Sequence, residues 1–567
     1  MKKSWMLMTL LIAFSMVFGQ PGNKPSLTIL FIPLDDRPPC LQFTLRMALI
    51  GDAEIITPPK EILGRFTKAG QSDEIIKWMK KQDLKSFDAA IISVDMLVYG
   101  GLVASRAHDV ENAAALARIH VLRDIHKKAP ELPLYVQNVI MRLAPTADGK
   151  NESYRTDLAK WAEISVIADK KSREETRKLE SKIPAEALAG YKKARQRNLL
   201  INLKSIEFVR SGIIRYLILS QDDAKPVGIH VADRQRLNKE ILHKRLTNKI
   251  AVQPGADEVS MLLLARALNE DYKYAPGIKP IFSSGRAAST VMPFEDKPLD
   301  ETVRFHIRAT GSRELVDEKQ ADLLFYVFAS RHEPGRAVSF AAEIEEKVRQ
   351  GRSVIVADID PIGNVQGGDS AFTIELGNRG LFSEINGYAS WNTAANTIGT
   401  ALPQGVIFSL AKARLFKNNS MIDRIWAAQN WFTFHRVLDD YYFHGLERLN
   451  VNKHFGQSGL SSTILDETTK KQFENYAMVR LSKSFHDLSR MYFGKTTNGR
   501  QNTVKCQQPA DMSFRLPWNR TFEAEIDFKL DCKVARRGRC IFYQASVPSL
   551  NLYIHCTMIE MMANLQV

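Results

Sequence analysis

Residues 216–230 read YLILSQDDAKPVGIH, an apolar run that meets Gln221, Asp222 and Asp223 and then breaks at a proline and a glycine. A strand that is apolar on both faces belongs inside a parallel sheet with helices over each side. Outward from this stretch the same unit recurs. LTILFIPL (27–34), AEIIT (53–57), DAAIISVD (88–95) and PLYVQNVIM (133–141) precede it, and KPIFSS (279–284), ADLLFYVFA (321–329), SVIVADI (353–359) and INGYA (385–389) follow. Amphipathic segments alternate with them, among them DVENAAALARIHVLRDIHKK (109–128), ADEVSMLLLARALNE (256–270) and AAEIEEKVRQG (341–351). The alternation predicts an α/β domain over 24–410, and its eight or nine strand units favour a (β/α)8-like barrel, with a doubly wound parallel sheet as the alternative because strand order is not written in a sequence.

Before this domain stands MKKSWMLMTLLIAFSMVFGQ, two lysines ahead of an apolar run too short to span a bilayer, which reads as a signal peptide over 1–19. The expectation is an exported protein, secreted or periplasmic, with no transmembrane segment after signal removal. After the domain, strand signals fade. Residues 411–495 read as a helical region whose Trp426, Trp431, Tyr441 and Tyr442 are core, 496–510 as a linker and 511–567 as a small β-rich segment. Cys506, Cys532, Cys540 and Cys556 crowd the end of the chain, which in an exported protein allows one or two disulfides of open pairing, whereas Cys40 stands alone.

The net charge of +15 is spread over helices such as KKSREETRKLESK (170–182) and YKKARQRN (191–198). Dispersed charge of this kind is a solvated helix face and argues against a nucleic-acid partner. Attraction to anionic glycans or to the cell envelope remains consistent with it.

Ligands of parallel sheets bind beyond the carboxyl ends of the strands, so those ends supply the candidate residues. PLDDRP offers Asp35, Asp36 and Arg37, and SVDMLVYGGLVASR offers Asp95 with a Gly100–Gly101 turn and then Ser105 and Arg106. The fourth strand ends near Asn138 and Arg142, a cation that Asp95 could neutralise. Asp222 and Asp223 are the strongest pair, since two neighbouring carboxylates suit acid/base work once their surroundings push their proton affinities apart. Asp257 and Glu258 open a helix, where the dipole alone accounts for acids. Asp358 and Asp360, followed by Asn364 and Asp369, could hold Ca²⁺ or Mg²⁺ but lack the spacing of a known cation loop. SWNTAANTIGTAL sets Trp391 and Asn392 at a strand-to-helix junction, a pairing suited to stacking and hydrogen bonding on a sugar. No GxSxG, HExxH, Walker or GxGxxG sequence occurs, and His108, His230 and His332 are too scattered for a zinc site.

PLDDRP, SVDMLVYGGLVASR, the SQDDA run, GADEVSMLLLAR and SWNTAANTIGTAL with PWNRTFE together resemble the bacterial domain-of-unknown-function family numbered 4127, over about 27–530. That resemblance implies kinship and no activity. The Asp222–Asp223 pair alone is also similar to the aspartate pair of O-GlcNAcase-type glycoside hydrolases, an analogy in which it would assist attack by the substrate's own acetamido group and Asn392 would be a sugar ligand.

The leading expectation is an exported glycan hydrolase with Asp222 and Asp223 as the acid/base pair. Asp35, Asp36, Arg37, Asp95, Arg142, Trp391 and Asn392 would bind the sugar, and no cofactor is required. The competing expectations are a divalent-cation-dependent ester or phosphate hydrolase built on Asp35, Asp95, Asp358 and Asp360, and a non-catalytic glycan-binding protein.

Overall fold

The first strand, β1 (Leu27–Ile32), pairs in parallel with β2 (Ala53–Ile56) on one side and β3 (Ala89–Ser93) on the other. β4 (Leu134–Ile140), β5 (Tyr216–Gln221) and β6 (Ile250–Pro254) extend the sheet beyond β3, giving the parallel order β2-β1-β3-β4-β5-β6. A second sheet is built from β7 (Gly277–Phe282), β8 (Arg313–Glu314), β9 (Leu323–Phe328), β10 (Ser353–Asp358) and β11 (Gly387–Ala389). Its order is β8-β7-β9-β10-β11, again parallel throughout. The structure is a computed structural model and describes residues 25–536 except 330, 332, 334, 360–367, 458–461, 494–496 and 499–501.

Of the two architectures the sequence left open, the strand order realises the doubly wound one, and it does so twice. Each sheet begins with a strand that has its successor on one side and all later strands on the other. Counted from β7, the second sheet repeats the order of β1 to β5, a duplication of topology that no sequence repeat announces. Connections diverge at that reversal, which opens a crevice at the carboxyl ends of the strands.

Local sequence explains these elements. β5 and β9 are buried along their whole length, as expected of continuous apolar strands between two helix layers. β6 and β8 are the strands that apolarity does not predict. Both are edge strands, and in β6 Ala251 and Val252 are only half-buried, so selection for a run of large apolar residues is weak there. Gly100 takes a left-handed φ of 89° to end the helix Val94–Tyr99, and an added Cβ would lie 2.6 Å from the Gly70 nitrogen. The Gly100–Gly101 pair is therefore a packed turn.

Beyond β11 the chain forms helices Ala394–Leu410, Asn419–Arg436, Arg448–Gly456 and Glu467–Phe493, with a π-helical stretch over Val437–Glu447. The fully buried Arg436 binds Asp439 and Asp440 at 2.8 Å each, and Asp440 in turn accepts the Ser390 N–H at 2.8 Å just after β11. Trp431 is core, stacked on Phe528 at 5.0 Å, and Tyr441 is buried, whereas Trp426 and Tyr442 are half-buried against the same core.

Strands Ala510–Arg515 and Glu525–Lys529 pair antiparallel, and Asn502–Cys506 pairs with Cys532–Arg536. Strand Asn502–Cys506 therefore falls inside the stretch, 496–510, expected to be linker. A disulfide joins Cys506 to Cys532. No described helix is long and apolar enough to cross a membrane. The expected signal peptide and the residues His332, Asp360, Asn364, Cys540 and Cys556 lie outside the described residues.

Candidate functional site

β1, β4, β5 and β6 all end on one cavity of about 280 Å³. Arg37 reaches it from the turn after β1, Arg142 from the end of β4, Asp222 and Asp223 from the end of β5, and Asp257 from the end of β6. Arg106 arrives from the helical turns that follow β3. The opposite wall belongs to the second half of the chain. Phe294 and Glu295 follow β7, while Asn392, Thr393 and Asn396 follow β11. The loop between strands Ala510–Arg515 and Glu525–Lys529 closes the cavity with Trp518, Arg520 and Phe522.

Five residues expected at a site, Arg37, Arg142, Asp222, Asp223 and Asn392, thus line one cavity, though 355 positions of chain separate Arg37 from Asn392. Asp35 and Asp36 stand directly behind it and are buried. Asp35 is bound to Arg37, whose Nη2 donates at 2.7 Å. Asp36 Oδ1 accepts the Trp518 indole N–H at 2.6 Å, and burial raises its pKa to about 6 against the opposing pull of that bond.

Like Asp35 and Asp36, two further expected sugar ligands, Trp391 and Asp95, do not line the cavity. The Trp391 indole is buried, edge-on to Phe43 at 5.9 Å, and donates to Thr400 Oγ1 at 3.0 Å, so it has no free face for stacking. Its place as the accessible aromatic is taken by Phe294, which is 50% exposed at the cavity. Asp95 is fully buried. It accepts the Val139 N–H at 2.8 Å and the Asn138 amide at 3.2 Å, and it is not the partner of Arg142. Burial above all raises its pKa to about 7.

Apart from Glu295, the carboxylates that line the cavity are engaged by guanidiniums. Arg106 donates to Asp222 Oδ2 through Nη2 at 2.6 Å and Nε at 3.0 Å, and to Thr146 through Nη1 at 2.7 Å. Arg142 Nη1 donates to Asp223 Oδ2 at 2.6 Å. The two ion pairs differ in access, since the side chain of Asp222 is 7% exposed and that of Asp223 is 36% exposed. A carboxylate held in this way can act as base, nucleophile or orienter, but to serve as a proton donor it would have to give up its cation.

Arg37 is the hub of the inner wall. It holds Asp257 Oδ1 at 2.6 Å and Oδ2 at 3.0 Å, Asp35 at 2.7 Å and Glu523 at 3.3 Å, and all four side chains are buried. Burial disfavours the charge on Arg37, but Asp257 and then Asp35 outweigh it and hold the guanidinium well above its ordinary value. Glu523 is shared with Arg520, which leaves Arg37 as the one guanidinium against both Asp35 and Asp257. Burial, resisted by Arg37 and reinforced by Asp35, accordingly raises Asp257 to about 6. Asp257 is thus spent on an ion pair rather than on the helix dipole.

Glu295 has the environment of a proton donor. It has no cationic partner within ion-pair distance among the described residues, accepts the Ala395 N–H at 2.7 Å and a bond from Thr302 Oγ1 at 3.3 Å, and is raised by burial to about 7. Two strained backbone positions flank it. Phe294 (φ 64°) and Asn392 (φ 56°) both adopt the left-handed region, which a bulky residue such as Phe enters only when its surroundings compel it. The Phe294 carbonyl accepts the Ala224 N–H at 2.7 Å, which ties this strained turn to the chain just beyond Asp223.

Sequence reading missed Phe294, Glu295, Arg155, Trp518, Arg520 and Phe522. The dense aromatic and charged run PWNRTFE carried a signal, but nothing in it says which surface the loop covers. The acids proposed for a cation site are apart: Asp35 is on Arg37, Asp95 is behind β4, and Asp358 accepts the Asp369 N–H and the Thr373 hydroxyl at 3.0 Å each. Among the described residues no group of three or more His, Cys, Asp and Glu could hold a metal ion. A cavity of about 390 Å³ at the opposite ends of β1, β3 and β4 lies away from all of these side chains.

Two doubly wound sheets whose strand ends share a polar cavity with a C-terminal loop define the class. The chain belongs to the family described as "Protein of unknown function (DUF4127)", which it matches over residues 29–527. No curated protein and no solved structure matches it.

Proposed function

We propose that this protein is an exported hydrolase acting on glycosidic bonds, with the cavity at the strand ends as its active site. The observation that carries the reading is the company of Glu295 and Asp223, a buried carboxyl raised to about 7 and an accessible ion-paired carboxylate, on the walls of one cavity. Glycoside cleavage needs two such groups in different protonation states. Glu295 would donate its proton to the departing glycosidic oxygen as the bond to the anomeric carbon breaks. Asp223 would take the proton of the water that supplies the new bond, and Asp222, fixed by Arg106, would orient it. Phe294 offers an exposed ring for stacking, and the buried Asn396 Oδ1, which has no hydrogen-bond partner, offers an acceptor for a sugar hydroxyl. Export rests on the lysine-led apolar leader of the sequence.

The second reading, a glycan-binding protein without turnover, is favoured by the arginines on Asp222 and Asp223. Both readings meet one experiment: glycosides and envelope glycans are incubated with the wild-type protein and with Asp223→Asn and Glu295→Gln, and both release of reducing ends and binding are measured. Turnover lost in both variants with binding retained supports the hydrolase, and binding without turnover in the wild type supports the second reading. Turnover that survives both substitutions would remove the hydrolase assignment from this cavity.

A further inference from the structure

The cationic groups of the cavity are not equally satisfied. Arg37, Arg106 and Arg142 each hold acidic partners, and Arg520 is bound by Glu523, with Nε donating at 2.8 Å. Arg155, the first residue of helix Arg155–Ile164, lines the same cavity, is half-buried, and has no acidic partner among the described residues. Its Nε is buried without any hydrogen-bond partner. The protein thus supplies no acceptor for the buried Nε, while the rest of the half-buried side chain lines the cavity, where an acceptor can meet it. Arg142 adds to this, because it uses Nη1 on Asp223 and Nε on the Ala144 carbonyl, leaving Nη2 without a bonded partner among the described residues.

We propose that the sugar unit seated in this cavity is a uronic acid whose carboxylate is bound by Arg155 with support from Arg142. The inference rests on the glycan reading above and narrows it to an acidic glycan. A planar carboxylate matches the fork of one guanidinium, and a single negative charge suits one unpaired cation. A phosphate dianion fits less well, because Asp222, Asp223 and Asp257 line the same cavity and would repel the second charge. The volume of about 280 Å³ is at the small end for ligand pockets and suits one sugar ring more than a long segment of chain. Arg155 is thus a specificity residue, outside the groups that would move protons.

The test is calorimetric titration of the full protein with D-glucuronate and D-galacturonate, with their neutral amides, and with acetate and inorganic phosphate as bare anions. At least one uronate should bind ten-fold or more tightly than its own amide, and Arg155→Gln should remove that preference while leaving amide binding in place, which also shows that the variant is folded. Arg155→Lys should keep part of the preference, because it retains the charge and loses the fork. Equal affinity for uronate and amide, or a preference that survives in Arg155→Gln, overturns the uronic-acid assignment and leaves the glycan reading standing. Binding of acetate or phosphate but of no sugar overturns both.

Discussion

Asp36, at the end of the first strand unit, accepts a 2.6 Å hydrogen bond from the indole of Trp518, 482 residues further along the chain. The bond fastens the C-terminal loop over the strand ends of the first sheet, and with it Arg520 and Phe522. Arg37, one residue on, repeats the connection: its guanidinium lies 4.7 Å over the Trp518 ring and reaches Glu523. The cavity therefore exists only when the two ends of the chain have met.

Replacing Trp518 by Phe should destabilise the protein in a pH-dependent way. Asp36 has a folded pKa raised to about 6, so its contribution to stability is present below its unfolded value near 3.8 and is lost as pH rises through about 6. Removing the indole donor takes away the bond that favours the carboxylate and deepens that loss on the alkaline side. Urea denaturation should give a penalty of about 1–3 kcal/mol for the lost bond at pH 8 and a smaller one at pH 4.5. An equal penalty at both values would mean that only ring packing was lost.

Arg37→Ala should be among the most damaging single changes in the first sheet. It leaves Asp35 and Asp257 buried without their cation, and Glu523 with Arg520 alone, a situation that costs roughly 3–5 kcal/mol when one partner of a buried pair is removed. Arg37→Lys should recover little, since one ammonium cannot serve two carboxylates as the guanidinium fork does. Chemical denaturation of the three proteins side by side decides this, and a lysine variant as stable as the wild type would contradict it.

Asp95→Asn should flatten the dependence of stability on pH. The folded pKa of Asp95 is raised to about 7 from an ordinary 3.8, so the native state binds the proton more tightly than the unfolded chain. Stability from this group is complete below pH 4 and falls away as pH rises through about 7, by as much as about 4 kcal/mol for a shift of this size. The asparagine variant lacks that titration. Its melting temperature should differ from wild type in opposite directions at the two ends of a series from pH 4 to 8, with the relative gain at pH 8.

With Glu295 as the proton donor of the proposed chemistry, activity should fall as pH rises through about 7, where that carboxyl gives up its proton. Glu295→Gln should lower kcat by roughly 10²–10⁴-fold with a smaller change in KM. Phe294→Ala should do the reverse, raising KM about ten-fold through the lost stacking surface while leaving kcat near wild type. Steady-state kinetics on one substrate across pH 5 to 9 separates the two roles, and a basic limb that persists unchanged in Glu295→Gln would assign the proton donor elsewhere.

Much of the fold was legible in local sequence. Nine of the eleven parallel strands, from LTILFIPL to INGYA, announce themselves as apolar runs, most completely in β3, β4, β5 and β9, which are buried along their whole length. The two that stay silent are edge strands that also lack a run of large apolar residues: β6 reads IAVQP with Ala251 and Val252 half-buried, and β8 is the two-residue Arg313–Glu314. The rule that ligands gather at the carboxyl ends of strands likewise brought Arg37, Arg142, Asp222, Asp223 and Asn392 to one cavity.

Sequence alone therefore determined the kind of layer and the end of the strands at which polar side chains would collect, since both follow from solvent exclusion acting residue by residue. Tertiary structure decided what each of those side chains became. Whether a carboxylate is charged, neutral or bound depends on which groups from other elements come within a few ångströms of it, as Arg106 does for Asp222 and Trp518 for Asp36. Trp391 was drawn into the core and Phe294 left at the opening by packing between elements far apart in the chain. Strand order, too, is settled only when helices cover both faces of a sheet, because the hydrogen bonds between parallel neighbours are the same whichever strand supplies them.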